Sequence, residues 1–206
     1  MLWRGQSVGF PSDLDMVEIL DVGCGDRPRG TVNLDFGDYG DLYQRNQLNP
    51  SKIKNFVRGD AHHLPFRDNI FVEVRCWHTL EHLTGPALAL SEMVRVANGV
   101  VKVVVPYRYH EMVQNFFLPQ RKAWAKKHHR HYFDKRQLQQ ILAKLGLKGK
   151  VSYRMKFSDA IKNVSDYHLS FWEFVLFGVL EAFLPPTPGE LMVTIDKKMN
   201  PRAFAR

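Results

Sequence analysis

Apolar residues in this chain come in short, β-branched runs that stop at a glycine, a proline or a carboxylate. The run Glu18-Ile-Leu-Asp-Val-Gly-Cys-Gly25 ends in an acidic residue and then two glycines one residue apart. A buried parallel strand that turns sharply against a ligand has this pattern, because glycine lets the backbone approach with no side chain in the way. Thr31-Val-Asn-Leu-Asp35 repeats the apolar-then-acidic order and predicts the second strand. Phe56-Val-Arg-Gly-Asp60 predicts a third, running into the loop Ala61-His-His-Leu-Pro-Phe66. Ile70 to Cys76 predicts a fourth, with His78-Thr-Leu-Glu81-His82-Leu83 opening a helix. Val100-Val-Lys-Val-Val-Val-Pro106 predicts a fifth, and Asn98-Gly99 is expected to turn the chain into it. Lys150 to Phe157 and Leu191 to Lys197 predict the sixth and seventh. Asp134, with Gln137 three residues on, reads as a capping box before a helix over 135–145, and Gly146 as its left-handed stop.

The two acidic strand tips, Asp21 and Asp35, read together as the nucleoside-binding edge of a doubly wound α/β sheet. Only Asp26-Arg-Pro-Arg-Gly30 separates the glycines from the second strand. A parallel crossover usually needs a dozen or more residues, mostly helical. A loop or single turn stiffened by Pro28 is therefore expected. Two stretches interrupt the alternation, 107–133 and 158–190. The second contains a mostly apolar helical run over 166–184, closed by Pro185-Pro186, with Asn163, Asp166, Ser170, Glu173 and Glu181 on one stripe. It is too short and too acid-marked to span a bilayer comfortably. A lid over the active site is the first reading, with a homodimer interface or an interfacial membrane anchor as alternatives. One domain is expected over 1–206: a core of about 14–106, 134–157 and 190–198, the two insertions, and a tail over 199–206 that frays.

The motifs D-V-G-C-G, V-N-L-D, G-D-A-x-x-L-P-F, L-E-H-L and V-V-V-P follow in order, and His131-Tyr-Phe-Asp134-Lys-Arg-Gln-Leu138 runs on to Leu145-Gly146-Leu147. On these motifs, over residues 17–147, the chain resembles the class I S-adenosylmethionine-dependent methyltransferases, in the group called methyltransferase type 11. The resemblance implies a Rossmann-like, mostly parallel seven-stranded sheet with an antiparallel last strand, and S-adenosyl-L-methionine as cofactor. It implies Asp21, Gly23, Cys24 and Gly25 against the methionine portion and Asp35 on the ribose hydroxyls. Asp60 and Ala61 would read the adenine edge, with Trp77 and His78 bordering the methyl group. Family members usually carry a third glycine and a full helix after the first strand, and this chain departs from both. It looks like a subgroup that reads G-C-G-x-x-P-x-G-x-V-N-x-D and is associated with saccharides. That likeness implies a small or lipid-linked acceptor, a saccharide or another metabolite hydroxyl.

A hydroxyl acceptor must lose its proton as the new bond forms, and a histidine titrating near neutral pH suits that task. His78 is the candidate general base and His110 the second candidate, with Tyr107 and Arg108 placed to bind the acceptor. Duller readings stand beside these. Strand-end carboxylates often cap the following turn, and a histidine such as His82 often bonds only backbone. His78, Glu81 and His82 are ligand-type side chains, but ligands on one short turn do not define a site, and no metal is assigned. His62-His63 reads as a loop feature, and Cys24 as a small residue filling a tight turn.

Charge divides the chain. Residues 1–100 carry 10 Lys+Arg against 13 Asp+Glu, whereas 101–206 carry 19 against 8. The densest stretch, Arg121 to Arg136, interleaves basic residues with Trp124 and Tyr132. It could track RNA, face an anionic membrane surface, or be a solvated helix face. An RNA methyltransferase is thus one alternative. A non-catalytic module that kept the fold is another. Cys24 and Cys76 fall at strand ends where a disulfide has no purpose, and Met1 to Phe10 lacks a signal-peptide apolar stretch. A cytoplasmic location is expected, with peripheral membrane association as the variant.

Overall fold

A computed structural model of the protein describes residues 17–36, 49–117, 119–154 and 189–200. Its seven strands are β1 (Val17–Val22), β2 (Val32–Asp35), β3 (Phe56–Arg58), β4 (Phe71–Trp77), β5 (Ala97–Pro106), β6 (Lys150–Arg154) and β7 (Glu190–Asp196). They join one sheet in the order β3-β2-β1-β4-β5-β7-β6. The first five are parallel, and β7 runs antiparallel to both β5 and β6. This is the expected Rossmann-like arrangement. The strand order reverses at β1 and β4, so ligands belong in the crevice beyond their C-terminal ends.

Four α-helices accompany the sheet among the described residues: α1 (Pro86–Val96), α2 (Arg108–Phe117), α3 (Pro119–His128) and α4 (Lys135–Lys144). Leu20, Val22, Val74, Cys76, Val101 and Val103 are buried on the central strands, against Leu90 and Met93 of α1. Burial on both faces explains the apolar run Val103 to Pro106 that ends β5. Asp134 caps α4 as expected: its carboxylate accepts from Gln137 N at 2.8 Å, and Gln137 Oε1 accepts from Asp134 N at 2.9 Å. Gly146 follows at φ +66°.

The first crossover is a hydrogen-bonded loop with no helix. Gly23 N and Cys24 N both donate to the Leu34 carbonyl, at 2.8 and 3.2 Å. Arg29 N donates to Asp21 Oδ2 at 2.8 Å, and the Asn33 side chain bonds both backbone groups of Gly30, at 2.9 and 3.1 Å. A Cβ on Gly30 would lie 2.4 Å from the Val32 carbonyl oxygen, so only glycine lets the loop fold this flat. Fixed backbone bonding replaces the helix that parallel strands usually need.

Three expectations change. The segment at 78–83 forms a single 3-10 turn, Leu80–His82, and the helix proper starts at Pro86, where proline suits the first turn. Asn98 and Gly99 lie inside β5, which starts directly after α1; a register irregularity there brings the Val72 carbonyl within 2.3 Å of where a Gly99 Cβ would be. The start of the predicted tail is tied down. Buried Asn200 accepts from Lys148 N at 2.5 Å and donates to the Lys148 and Asp196 carbonyls at 3.0 and 2.7 Å. The 166–184 run read as lid, dimer interface or anchor lies outside the described residues, as do 201–206 and the side chain of Trp124.

Candidate functional site

The C-terminal edges of β1 and β2 are shaped by backbone. Gly23 and Gly25 sit at φ +73° and +55°. A Cβ on Gly23 would strike Thr79 Oγ1 at 2.1 Å, whereas one on Gly25 would meet nothing within 4 Å. Gly23 thus packs β1 against the turn after β4, and Gly25 leaves open space where a ligand can approach. Its N–H donates to Asp35 Oδ2 at 2.9 Å, fixing that buried carboxylate at the tip of β2. Asp21 is buried one strand over, and its bond to Arg29 N makes it a support of the crossover loop. Burial raises its pKa, with the charge of Asp35 adding to the effect, against the pull of Arg29 and Arg75.

Asp60 and Ala61 sit beyond β3. Asp60 Oδ1 accepts from His62 N at 2.9 Å and lies 2.6 Å from His62 Nδ1. His62 Nε2 accepts from Gly85 N at 3.1 Å, so the ring proton is on Nδ1 and donates to Asp60. Burial works against the Asp60 charge, but the His62 bonds outweigh it and lower the pKa. His62 is the loop feature expected, a latch between the Asp60 loop and the start of α1. Cys24 is buried, which pushes its thiol up to about 12. Phe36 went unnoticed in the sequence. It follows Asp35 with 62% of its surface exposed, an apolar plate beside that carboxylate. A large exposed aromatic directly after an acidic strand tip is the signal that could have found it.

At the tip of β4 the arrangement is of side chains. Two guanidinium groups lie over the Trp77 ring, Arg29 at 5.9 Å and Arg75 at 5.8 Å from its centroid. His78 adopts φ +51°. Its Nε2 lies 2.5 Å from Glu190 Oε1, and its Nδ1 lies 3.5 Å from Glu81 Oε1. Burial opposes its charge, yet the hydrogen bonds to Glu190 and Glu81 prevail and raise the imidazole to about 9. Both ring nitrogens of the His78 candidate base thus face carboxylates. Its observed work is to hold the end of β4 to the start of β7. Glu190, which heads β7 directly before the predicted strand, was missed because its partner is 112 positions away. His82 donates from Nδ1 to the His128 carbonyl at 3.0 Å.

Beyond β5, Tyr107 N donates to the Gly189 carbonyl at 3.0 Å and Arg108 N to the Phe133 carbonyl at 2.8 Å. Tyr107 meets Tyr109 at 5.3 Å and Tyr153 at 5.4 Å between ring centroids, both edge to face. Tyr109 and Tyr153 are exposed, and Lys135 Nζ sits 5.6 Å over the Tyr153 ring. Burial and a hydrogen bond with Tyr153 raise the Tyr107 hydroxyl. Arg108 Nη1 lies 4.0 Å from Asp134 Oδ2, and His110 is half-buried in the first turn of α2. Tyr109 and Tyr153 were missed; only the fold brings β6 beside the start of α2.

Comparison with known proteins agrees with this geometry. Residues 20–101 match the family model described as a methyltransferase domain. No curated protein sequence matches the chain. Among solved structures, a SAM-dependent methyltransferase from Thermotoga maritima is similar with a TM-score of 0.57 at 17% identity, over 89% of this chain and 84% of that one. One from Archaeoglobus fulgidus reaches 0.55 at 15% identity, over 88% and 86%. The plantazolicin methyltransferase BpumL, solved with SAH and a triazolic desmethylPZN analog, reaches 0.57 at 15% identity, over 87% and 76%. At these identities the likeness to the structures establishes the fold.

Proposed function

We infer that this chain, an S-adenosylmethionine-dependent methyltransferase of the type 11 group, methylates a hydroxyl of a small saccharide-like acceptor. The observation that carries the acceptor is the Tyr107, Tyr109 and Tyr153 cluster, with two rings exposed beside the ends of β5 and β6. The electron-rich faces of such rings attract the weakly positive C–H groups of a sugar. Arg108, exposed beside them, supplies hydrogen bonds to hydroxyls.

In this reading Asp35 holds the cofactor ribose and Phe36 backs the adenine, whose edge is read at Asp60 and Ala61. The open backbone at Gly25 admits the methionine portion, with Asp21 bracing the loop behind it and Trp77 bordering the methyl group. The sulfonium methyl is already electrophilic, so acceleration comes chiefly from aligning the acceptor oxygen in line with it. His110 is the proposed proton acceptor. The domain is single and cytoplasmic, in keeping with the free, buried thiols of Cys24 and Cys76. A lipid-linked acceptor would set the basic α3 side toward an anionic surface.

Exposed Lys122, Lys126, Lys127 and Arg130 favour RNA as a second acceptor. RNA affinity that falls steeply with salt would support it, and indifference to RNA would remove it. The deciding experiment has two stages. Calorimetric titration with S-adenosylmethionine should show binding that collapses in Asp35→Ala. Labelled methyl transfer is then scored on sugars and RNA, with Tyr153→Ala as control. Transfer to sugars that weakens in Tyr153→Ala supports the reading; transfer confined to RNA overturns it.

A further inference from the structure

Taking the tyrosine cluster as the acceptor site, we propose that the acceptor is a phosphate ester of a saccharide, its phosphate held by Arg108 and Lys135. Three segments meet at that cluster, 107–110, 133–136 and 153–154. Tyr107 and Phe133 form a parallel bridge, and Arg108 N donates to the Phe133 carbonyl at 2.8 Å. The Tyr107 and Tyr153 rings meet edge to face at 5.4 Å between centroids. Together the three segments carry Arg108, Lys135, Arg136 and Arg154 against Asp134 alone. Glu190 adds a buried carboxylate near Arg154, but His78 Nε2 already lies 2.5 Å from it.

Neither proposed phosphate ligand is held in a tight ion pair. Arg108 is exposed, and its Nη1 lies 4.0 Å from Asp134 Oδ2, beyond hydrogen-bond reach. Asp134 Oδ1 accepts from Gln137 N at 2.8 Å, so that carboxylate serves the helix cap. Lys135 Nζ sits 5.6 Å over the Tyr153 ring, and no carboxylate among the described residues forms an ion pair with it. Cations elsewhere on the sheet are placed differently. Glu73 accepts from both Arg75 Nε and Lys102 Nζ, at 2.5 and 2.9 Å.

The backbone adds to the same field. α2 begins at Arg108 and α4 at Lys135, so the bridge before them sets the positive ends of two ten-residue helices side by side. Asp134 answers part of that field, and the exposed cations add to the remainder. A planar guanidinium can bind two phosphate oxygens at once, and a lysine ammonium supplies a point charge for a third. The ring faces of Tyr109 and Tyr153 would meet the C–H groups of the sugar. A neutral sugar gains little from such an excess of positive charge, whereas a sugar bearing a phosphate gains at every oxygen.

The test titrates full-length wild type with inorganic pyrophosphate by calorimetry, at fixed ionic strength. Arg108→Gln and Lys135→Gln should each weaken it about 10–100-fold, as the loss of a charge-assisted hydrogen bond implies. Lys144→Gln removes an exposed cation at the far end of α4 and should leave the affinity within about twofold. No saturable binding in wild type overturns the proposal, as does an equal loss in Lys144→Gln. Hexose 1-phosphates, and phosphatidylcholine vesicles carrying phosphatidylinositol, are then used to displace pyrophosphate. Displacement by the first assigns a soluble sugar phosphate, and by the second a lipid headgroup. Displacement by neither, or by RNA alone, overturns the proposal. Free hexoses that displace pyrophosphate as well as their 1-phosphates do would overturn it and leave the saccharide reading intact. A wild type that binds pyrophosphate but no S-adenosylmethionine would overturn both readings, by a different pattern.

Discussion

The two halves of the sheet's C-terminal edge are held by different chemistry. At β1, β2 and β3 every carboxylate of the candidate site accepts a backbone N–H: Asp35 from Gly25, Asp21 from Arg29, Asp60 from His62. At β4, β5 and β7 carboxylates face imidazoles instead: Glu190 and Glu81 face His78, and Glu111 faces His129. A loop held through its backbone keeps its shape when a distant side chain changes, but it needs glycine where the chain turns. A cluster of buried charged side chains can join segments remote in sequence, but removing one member strands another. The first design suits a cofactor of fixed shape. The second suits an acceptor side built from an insertion.

The sharpest way to break this contrast is His78→Asn, since asparagine tolerates the positive φ at that position. Glu190, 2% exposed, would lose the imidazole now 2.5 Å from its Oε1, and unfolding stability should fall by about 3 kcal/mol in denaturant titration. The wild-type imidazole is raised to about 9, so its contribution is complete below the unfolded histidine value of 6.5 and is lost as pH rises through about 9. His78→Asn should flatten that alkaline decline. Its cofactor affinity should stay within about twofold of wild type, because the β1–β2 edge does not lean on His78. A large change in affinity would show that the halves are coupled.

Asp35→Ala is the reciprocal test. Losing the charge-assisted contacts to ribose should cost about 2 kcal/mol, roughly 30-fold in cofactor affinity by calorimetry. The alkaline stability limb should survive unchanged. An Asp35→Ala protein that binds the cofactor normally would remove the nucleoside half of the reading.

The same division explains what could be read from the sequence. Asp21, Gly23, Gly25 and Asp35 lie within one continuous stretch, so their spacing alone predicts strand, turn and carboxylate. The end of β5 was legible because a strand in the middle of the sheet, buried on both faces, is a continuous apolar run. His78 stood out by residue type, but its protonation depends on Glu190, which only the pairing of β5 with β7 brings near. Asn98-Gly99 misled for a related reason. The dipeptide usually marks a turn, and here the glycine answers to the Val72 carbonyl of a neighbouring strand. Local chemistry was readable; contacts made across the sheet were not.

Tyr153→Ala sharpens the acceptor half further. Removing one exposed ring from the Tyr107–Tyr109–Tyr153 cluster should raise the acceptor KM by about fivefold, the value of about 1 kcal/mol for an aromatic contact. kcat should change less if the ring only binds the acceptor. An unchanged KM for every sugar would direct attention to the basic face of α3.

The smallest effect concerns the acid limb of the cofactor half. Glu92 on α1 accepts from Arg95 Nε and Nη2, both at 2.7 Å, and from Leu64 N at 2.9 Å. Arg95 in turn donates to the Phe66 and Leu64 carbonyls at 2.8 and 3.0 Å. These bonds hold the loop that follows Asp60 and Ala61. The hydrogen bond from Arg95, against some burial, keeps the Glu92 carboxyl below its ordinary value of 4.5. A lowered carboxylate contributes stability above that ordinary value and loses it as pH falls through the folded one. Glu92→Gln should therefore cost about 1 kcal/mol at neutral pH and remove part of the acid decline. The partly exposed pair makes a small effect the expected one. Above pH 7 the variant should follow wild type, alkaline limb included. Wild type would then be limited in acid by the loop beside the cofactor and in alkali by His78. A Glu92→Gln protein that altered the alkaline limb instead would show that α1 carries strain from one half of the sheet to the other.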